Sequence, residues 1–108
     1  MLKSLEGSQL GAWIAHGEGR FVLPEGEGSY TIAAKYLYDE YPGNPNGSDF
    51  STAALCSKDG RHLAMMPHPE RAIFPWQNAY YPFKYRKQEV TPWMEAFVTA
   101  REWLKKQR

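Results

Sequence analysis

Two of the three histidines in this chain stand two positions ahead of a glutamate, in His16-Gly17-Glu18 and in His68-Pro69-Glu70. In an extended segment residues i and i+2 point the same way, so the carboxylate can accept a ring N–H, fix the imidazole tautomer and stabilise the imidazolium. Such a pair makes an oriented general base, and a general base needs a nucleophile to act on. Taken alone the spacing is a weak signal, because a surface histidine beside an acid gives the same pattern and is the commoner case. Pro67 and Pro69 strengthen it for His68 alone, since prolines fix φ on either side of the histidine and restrict the residues before them.

The other reactive residues offer less. Cys56 is the single cysteine; it lies in an apolar run with Ala53-Ala54-Leu55, and no helix N-terminus or glycine-rich elbow is present to activate its thiol. It reads as a structural thiol. A metal site would have to gather His16, His62, His68 and carboxylates from separate turns, with no His-x-x-x-His or Cys-x-x-Cys spacing to support it. The stretch His16-Gly17-Glu18-Gly19-Arg20 holds two glycines but neither a Gly-x-Gly-x-x-Gly nor a P-loop pattern, so its use would be close backbone approach to a small ligand, with N–H groups exposed. The Met65-Met66 pair and the Trp93/Phe97 stripe read as core.

The elements that must position these residues are short and cut by glycine and proline. Ala12-Trp13-Ile14-Ala15 reads as a buried strand running into the tight His16–Arg20 loop. Tyr30 to Tyr38 puts Tyr30, Ile32, Ala34, Tyr36 and Tyr38 on one face at period two, which predicts a strand. Tyr41 to Ser48 is an ordered loop, with the Asn46-Gly47-Ser48 sequon read as a turn. Thr52 to Ser57 suits a buried strand or a short helical turn, Lys58-Asp59-Gly60-Arg61 a hairpin turn, and His62 to Met66 a further strand. From Ala72 to Glu89 the chain has no period and reads as loop. Thr91 as N-cap and Pro92 at the first helical position open a helix, whose Trp93, Phe97, Ala100 and Leu104 form one stripe expected to lie against the sheet. The sum is a single α/β or α+β domain, a mixed sheet of four or five strands with one long C-terminal helix.

Composition excludes several classes. Hydrophobic residues at 43% and charged residues at 23% match globular chains and argue against disorder, collagen and coiled coil. Thirteen Lys+Arg against twelve Asp+Glu leave +1, too little to collect nucleic acid; the basic run Lys105-Lys106-Gln107-Arg108 reads as a solvated helix end. With one cysteine, no leader pattern and no apolar run of about 20 residues, the chain is expected to be cytoplasmic, with no membrane and no nucleic-acid partner.

Three segments are recognisable together: His16-Gly17-Glu18-Gly19-Arg20 after Trp13-Ile14-Ala15, Asn44-Pro45-Asn46-Gly47-Ser48 after Tyr41-Pro42-Gly43, and Met65-Met66-Pro67-His68-Pro69-Glu70-Arg71. In this order, over about Leu5 to Lys105, they resemble the C-terminal end of the phosphoribosylformylglycinamidine synthase family. The domain there is a class I glutamine amidotransferase of flavodoxin-like type. It hydrolyses glutamine and passes ammonia to an ATP-dependent synthetase domain, which makes formylglycinamidine ribonucleotide in purine biosynthesis.

The resemblance implies that His68 is the triad histidine and Glu70 the carboxylate that orients it, both catalytic. It further implies that His16, Gly17 and Glu18 line the glutamine pocket, chiefly through main-chain groups, and that the Asn44–Ser48 loop serves the pocket rim or a domain contact. No metal or cofactor is expected in this chain; ATP and Mg²⁺ would belong to the synthetase domain. The family's nucleophilic cysteine and glycine-rich oxyanion loop lie upstream of the His16–Arg20 motif, and Cys56 sits at a non-catalytic position of the pattern. Residues 1–108 are therefore expected to be the C-terminal part of a truncated amidotransferase domain, with Met1 an internal methionine, an artificial boundary or the start of a shortened reading frame. The isolated chain is expected to be inactive, to depend on the rest of the synthetase polypeptide, and to self-associate through uncovered sheet edges. The alternative is an autonomous non-catalytic binding or dimerisation module.

Overall fold

The computed structural model describes residues 1–15 and 17–107. The chain divides into two compact units, Ile14–Pro67 and Met1–Trp13 with His68–Arg108.

The Ile14–Pro67 unit is built on one antiparallel sheet of three strands in the order β1-β2-β3. β1 (Thr31–Lys35) alternates as its period requires: Ile32 and Ala34 turn inward while Thr31, Ala33 and Lys35 face water. β2 (Thr52–Cys56) is the central strand, and its small residues Thr52, Ala53 and Ala54 are buried. β3 (Leu63–Met65) returns through a tight hairpin and pairs Ala54 with Met65, Leu55 with Ala64 and Cys56 with Leu63. The hairpin is closed by the Ser57 N–H on the His62 carbonyl at 2.9 Å, with Gly60 at φ 73°. Asp59 stiffens it, its carboxylate accepting from the Ser57 hydroxyl at 2.6 Å and from the Arg61 N–H at 3.1 Å. Together, first the Ser57 hydroxyl and then the Arg61 N–H hold the Asp59 carboxyl below its ordinary range.

This sheet differs from the expected mixed sheet of four or five strands. Ala12–Ala15 does not form a strand; Trp13 makes a single bridge with His68 and is 44% exposed. After β3, Pro67, Pro69, Pro75 and Pro82 remove ladder donors at short intervals, and the chain makes 3₁₀ turns at Pro69–Arg71, Pro75–Gln77 and Phe83–Tyr85. A tight hairpin can only join antiparallel strands, and between β1 and β2 there is only the 3₁₀ turn Asp49–Ser51, with no α-helix to carry a parallel crossover. The Tyr30–Tyr38 strand is also shorter than its period suggests, ending at Lys35 with Tyr38 exposed.

In the second unit, α1 (Trp93–Lys106) packs against the 3₁₀ turn Lys3–Leu5, with the hydroxyls of Ser4 and Thr99 2.9 Å apart. The Thr91 hydroxyl accepts from the Trp93 N–H at 3.3 Å and donates to the Ala72 carbonyl at 2.6 Å, so one buried side chain starts the helix and ties it to the preceding loop. Trp93 and Ala96 are the buried helical residues, and the Trp93 indole N–H donates to the Gly11 carbonyl at 2.7 Å. The inward face thus runs through i and i+3, and Leu104, expected in the stripe, is 59% exposed. No described helix is long and apolar enough to cross a membrane.

Candidate active site

His68 is fixed from both ends of its backbone. Its N–H donates to the Trp13 carbonyl at 2.7 Å, and its carbonyl accepts from the Arg71 N–H at 3.1 Å, closing the turn that Pro69 begins. Pro69 is buried, and its carbonyl accepts from the Ala72 N–H at 3.0 Å. On this rigid corner His68 Nδ1 and Glu70 Oε1 meet at 2.6 Å. Their side chains are 35% and 54% exposed, so the pair is open to an approaching group. The pairing does not come from an extended segment, as the spacing suggested: Glu70 lies inside the Pro69–Arg71 turn, which folds its side chain back toward the ring.

The His68 ring, followed by the backbone N–H of Glu70 itself, holds the Glu70 carboxyl below its ordinary range. An ionised carboxylate only accepts, so Nδ1 is the donor in this contact, and in the neutral form of the ring the lone pair is then on Nε2. The arrangement can take a proton from a thiol or hydroxyl at Nε2, and its imidazolium is stabilised by the carboxylate behind it.

Of the predicted binding residues, His16 lies outside the described residues. Gly17 sits in a turn at φ 52°, a backbone conformation that glycine adopts without strain, and Glu18 is exposed beside it. Asn46, read from the sequence as part of a turn and, through the resemblance, of a loop at the pocket rim or a domain contact, is prominent here. The Asn46 side-chain amide donates to the Gly17 carbonyl at 2.5 Å and to the Gly19 carbonyl at 2.9 Å. Asn44 closes the same loop on itself, its amide donating to the Ser48 carbonyl at 2.9 Å and its Oδ1 accepting from the Ser48 N–H at 3.0 Å. Further along, the Ser48 hydroxyl accepts from the Phe21 N–H at 3.0 Å, and the Asp49 carboxylate from the Leu23 N–H at 2.8 Å. The Asn44–Asp49 segment is thus laced to 17–23. The available signal was a pair of asparagines in a proline- and glycine-rich loop, since asparagine readily bonds backbone groups.

Cys56 closes β2 opposite Thr31 and Leu63 and is followed by the hairpin, not by a helix. That position has no nucleophile elbow. His62 is exposed at the far side of the hairpin. Among the described residues no group of three or more His, Cys, Asp and Glu is placed to hold a metal.

With this geometry, residues 1–104 match the model of the CobB/CobQ-like glutamine amidotransferase domain. The chain belongs to that family. This amidotransferase segment is 47% identical over 119 aligned positions to the probable phosphoribosylformylglycinamidine synthase, chloroplastic/mitochondrial, of Arabidopsis thaliana, covering 96% of this chain and 8% of the relative. It is 43% identical to the phosphoribosylformylglycinamidine synthase of Homo sapiens, covering 95% of this chain and 9% of the relative. The Drosophila melanogaster synthase is 40% identical, again over 95% of this chain and 9% of the relative. The segment is thus homologous to a small part of phosphoribosylformylglycinamidine synthase and spans less than a tenth of the length of these relatives.

Proposed function

We propose that this chain supplies the base half of a glutaminase: within a complete phosphoribosylformylglycinamidine synthase, His68 and Glu70 serve a cysteine contributed by polypeptide outside residues 1–108. The observation that carries this reading is the 2.6 Å contact between His68 Nδ1 and Glu70 Oε1 on a proline-braced turn, in a chain that matches the amidotransferase family over residues 1–104. His68 Nε2 takes the thiol proton as sulfur attacks the side-chain amide carbon of glutamine, then gives it to the departing ammonia. Water, deprotonated by the same nitrogen, cleaves the thioester, so glutamine and water become glutamate and ammonia.

Ammonia passes to the synthetase part, where formylglycinamide ribonucleotide is converted to formylglycinamidine ribonucleotide. ATP and Mg²⁺ act there, and no step assigned to this chain runs through them. Gly17 and Glu18, with His16, line the pocket for the amino-acid head of glutamine. In this reading the enzyme acts in the cytoplasm and takes no nucleic-acid partner, in keeping with a net charge of only +1.

Cys56 is not the nucleophile in this reading, because it ends a sheet strand that leads into a hairpin. The chain alone should therefore release no glutamate, whereas the chain mixed with the cysteine-bearing part should. If the mixture is inactive while both parts are folded, or if the chain alone hydrolyses glutamine, the proposal fails. One observation favours the second reading, a non-catalytic binding module: Trp76, Tyr80 and Phe83 are 79%, 77% and 82% exposed. A folded, associating chain with an inert mixture is the outcome that reading expects.

A further inference from the structure

We infer that Asn46 is a positioning residue for the glutamine pocket, which it serves by aiming the backbone N–H groups of Glu18 and Arg20 at the substrate's α-carboxylate. The inference rests on the glutaminase reading above.

The amide of Asn46 bridges the carbonyls of Gly17 and Gly19 at 2.5 and 2.9 Å. Two carbonyl oxygens can only accept, so the nitrogen end of the amide must face them. A trans peptide unit is planar, and its N–H points opposite to its C=O. Holding the Gly17 carbonyl therefore turns the Glu18 N–H away from Asn46, and holding the Gly19 carbonyl does the same for the Arg20 N–H. Without the clamp these units are free to rotate, because Gly17 and Gly19 carry no Cβ to restrict them. Asn46 is itself held: Asn44 and Ser48 are buried and bonded to each other twice, and Ser48 and Asp49 are bonded to Phe21 and Leu23. The result is a pair of donors aimed away from a rigid support, the arrangement that receives a carboxylate.

The test uses the whole synthetase carrying this segment. Asn46→Asp keeps the shape but sets a carboxylate against two carbonyls; Asn46→Ala removes both donors without adding charge. Each should raise KM for glutamine about 10- to 100-fold, the loss expected for hydrogen bonds to a charged group, with kcat within about twofold and ammonia-supported synthesis unchanged. An unchanged KM, or a fall in kcat alone, overturns the inference. Glutaminamide, which lacks the carboxylate, provides a readout that needs no variant. The intact enzyme should prefer glutamine to it, and the Asn46 variants should lose most of that preference. An enzyme that uses both equally overturns the inference even if the variants fail to fold. His68→Ala separates the two claims: if it spares glutamine turnover the glutaminase reading is wrong, and if it abolishes turnover while the Asn46 variants keep their KM, only the positioning role is wrong.

Discussion

His68 and Glu70 touch at 2.6 Å across a single proline, and the turn that joins them is closed by the His68 carbonyl on the Arg71 N–H. The proposed base and its orienting acid thus sit on one short piece of chain, closed by its own turn. Misplacing one without the other is difficult, which is what catalysis by an oriented base demands.

Replacing Glu70 tests that coupling. Glu70→Gln keeps an oxygen near Nδ1 but removes the charge that stabilises the imidazolium. In the complete synthetase it should lower glutamine-dependent turnover by about 10²- to 10⁴-fold with little change in KM, as steady-state assays would show. An equal loss of ammonia-dependent synthesis would point to general misfolding instead.

The same contact sets a pH dependence with a definite sign. The His68 ring holds the folded-state pKa of Glu70 below its ordinary value of 4.5, so the folded state favours the ionised carboxyl. Glu70's contribution to stability is full above that value and disappears as pH falls through the lowered folded value. Urea denaturation of the wild type and Glu70→Gln should give a small difference just above pH 4.5 that closes as the pH falls below it. Exposure of the pair keeps the effect small.

Thr91 is the joint between α1 and the loop before it. Thr91→Ala removes both the cap on Trp93 and the bond to Ala72, and should cost about 1–2 kcal/mol in urea denaturation, while Thr91→Ser should recover most of it.

Gly43 is a packing glycine. A Cβ there would meet the Tyr38 Cβ at 2.6 Å, and that atom cannot swing aside as the tip of a flexible chain can. Gly43→Ala should destabilise by about 1–3 kcal/mol, whereas Gly28→Ala, with nothing within 4 Å of the new methyl, should be close to neutral.

Surface exposure points to association of the isolated chain. Phe74 and Trp76 stack at 6.0 Å between ring centroids and stand near exposed Tyr80 and Phe83 along the chain, and β1 and β3 are both edge strands of the sheet. Light scattering should report species larger than 12.4 kDa, shifting with concentration; a folded, strictly monomeric chain would contradict this.

Elements governed by neighbouring residues were legible in the sequence. Asp59-Gly60 forced the hairpin, Thr91-Pro92 opened the helix, and the Ile32/Ala34 alternation marked β1. Elements governed by distant partners were not. Trp13-Ile14 has the composition of a buried strand, yet burial depends on neighbours that no local pattern reveals, and both residues are exposed. The 3₁₀ turns between Pro69 and Tyr85 are too short to generate a period. Asn46 reaches across 29 positions of sequence to Gly17, and a side chain bonding a remote backbone leaves no periodic trace. The His68–Glu70 pairing was visible from spacing and prolines, although the geometry behind it is a turn, not a strand.

The central claim, that His68 is the base that releases ammonia from glutamine, is tested most directly by His68→Ala in the complete synthetase, with glutamine-dependent and ammonia-dependent synthesis measured side by side. The account predicts that glutamine-dependent synthesis is abolished while ammonia-dependent synthesis is retained. Glutamine-dependent synthesis surviving at the wild-type rate would contradict it.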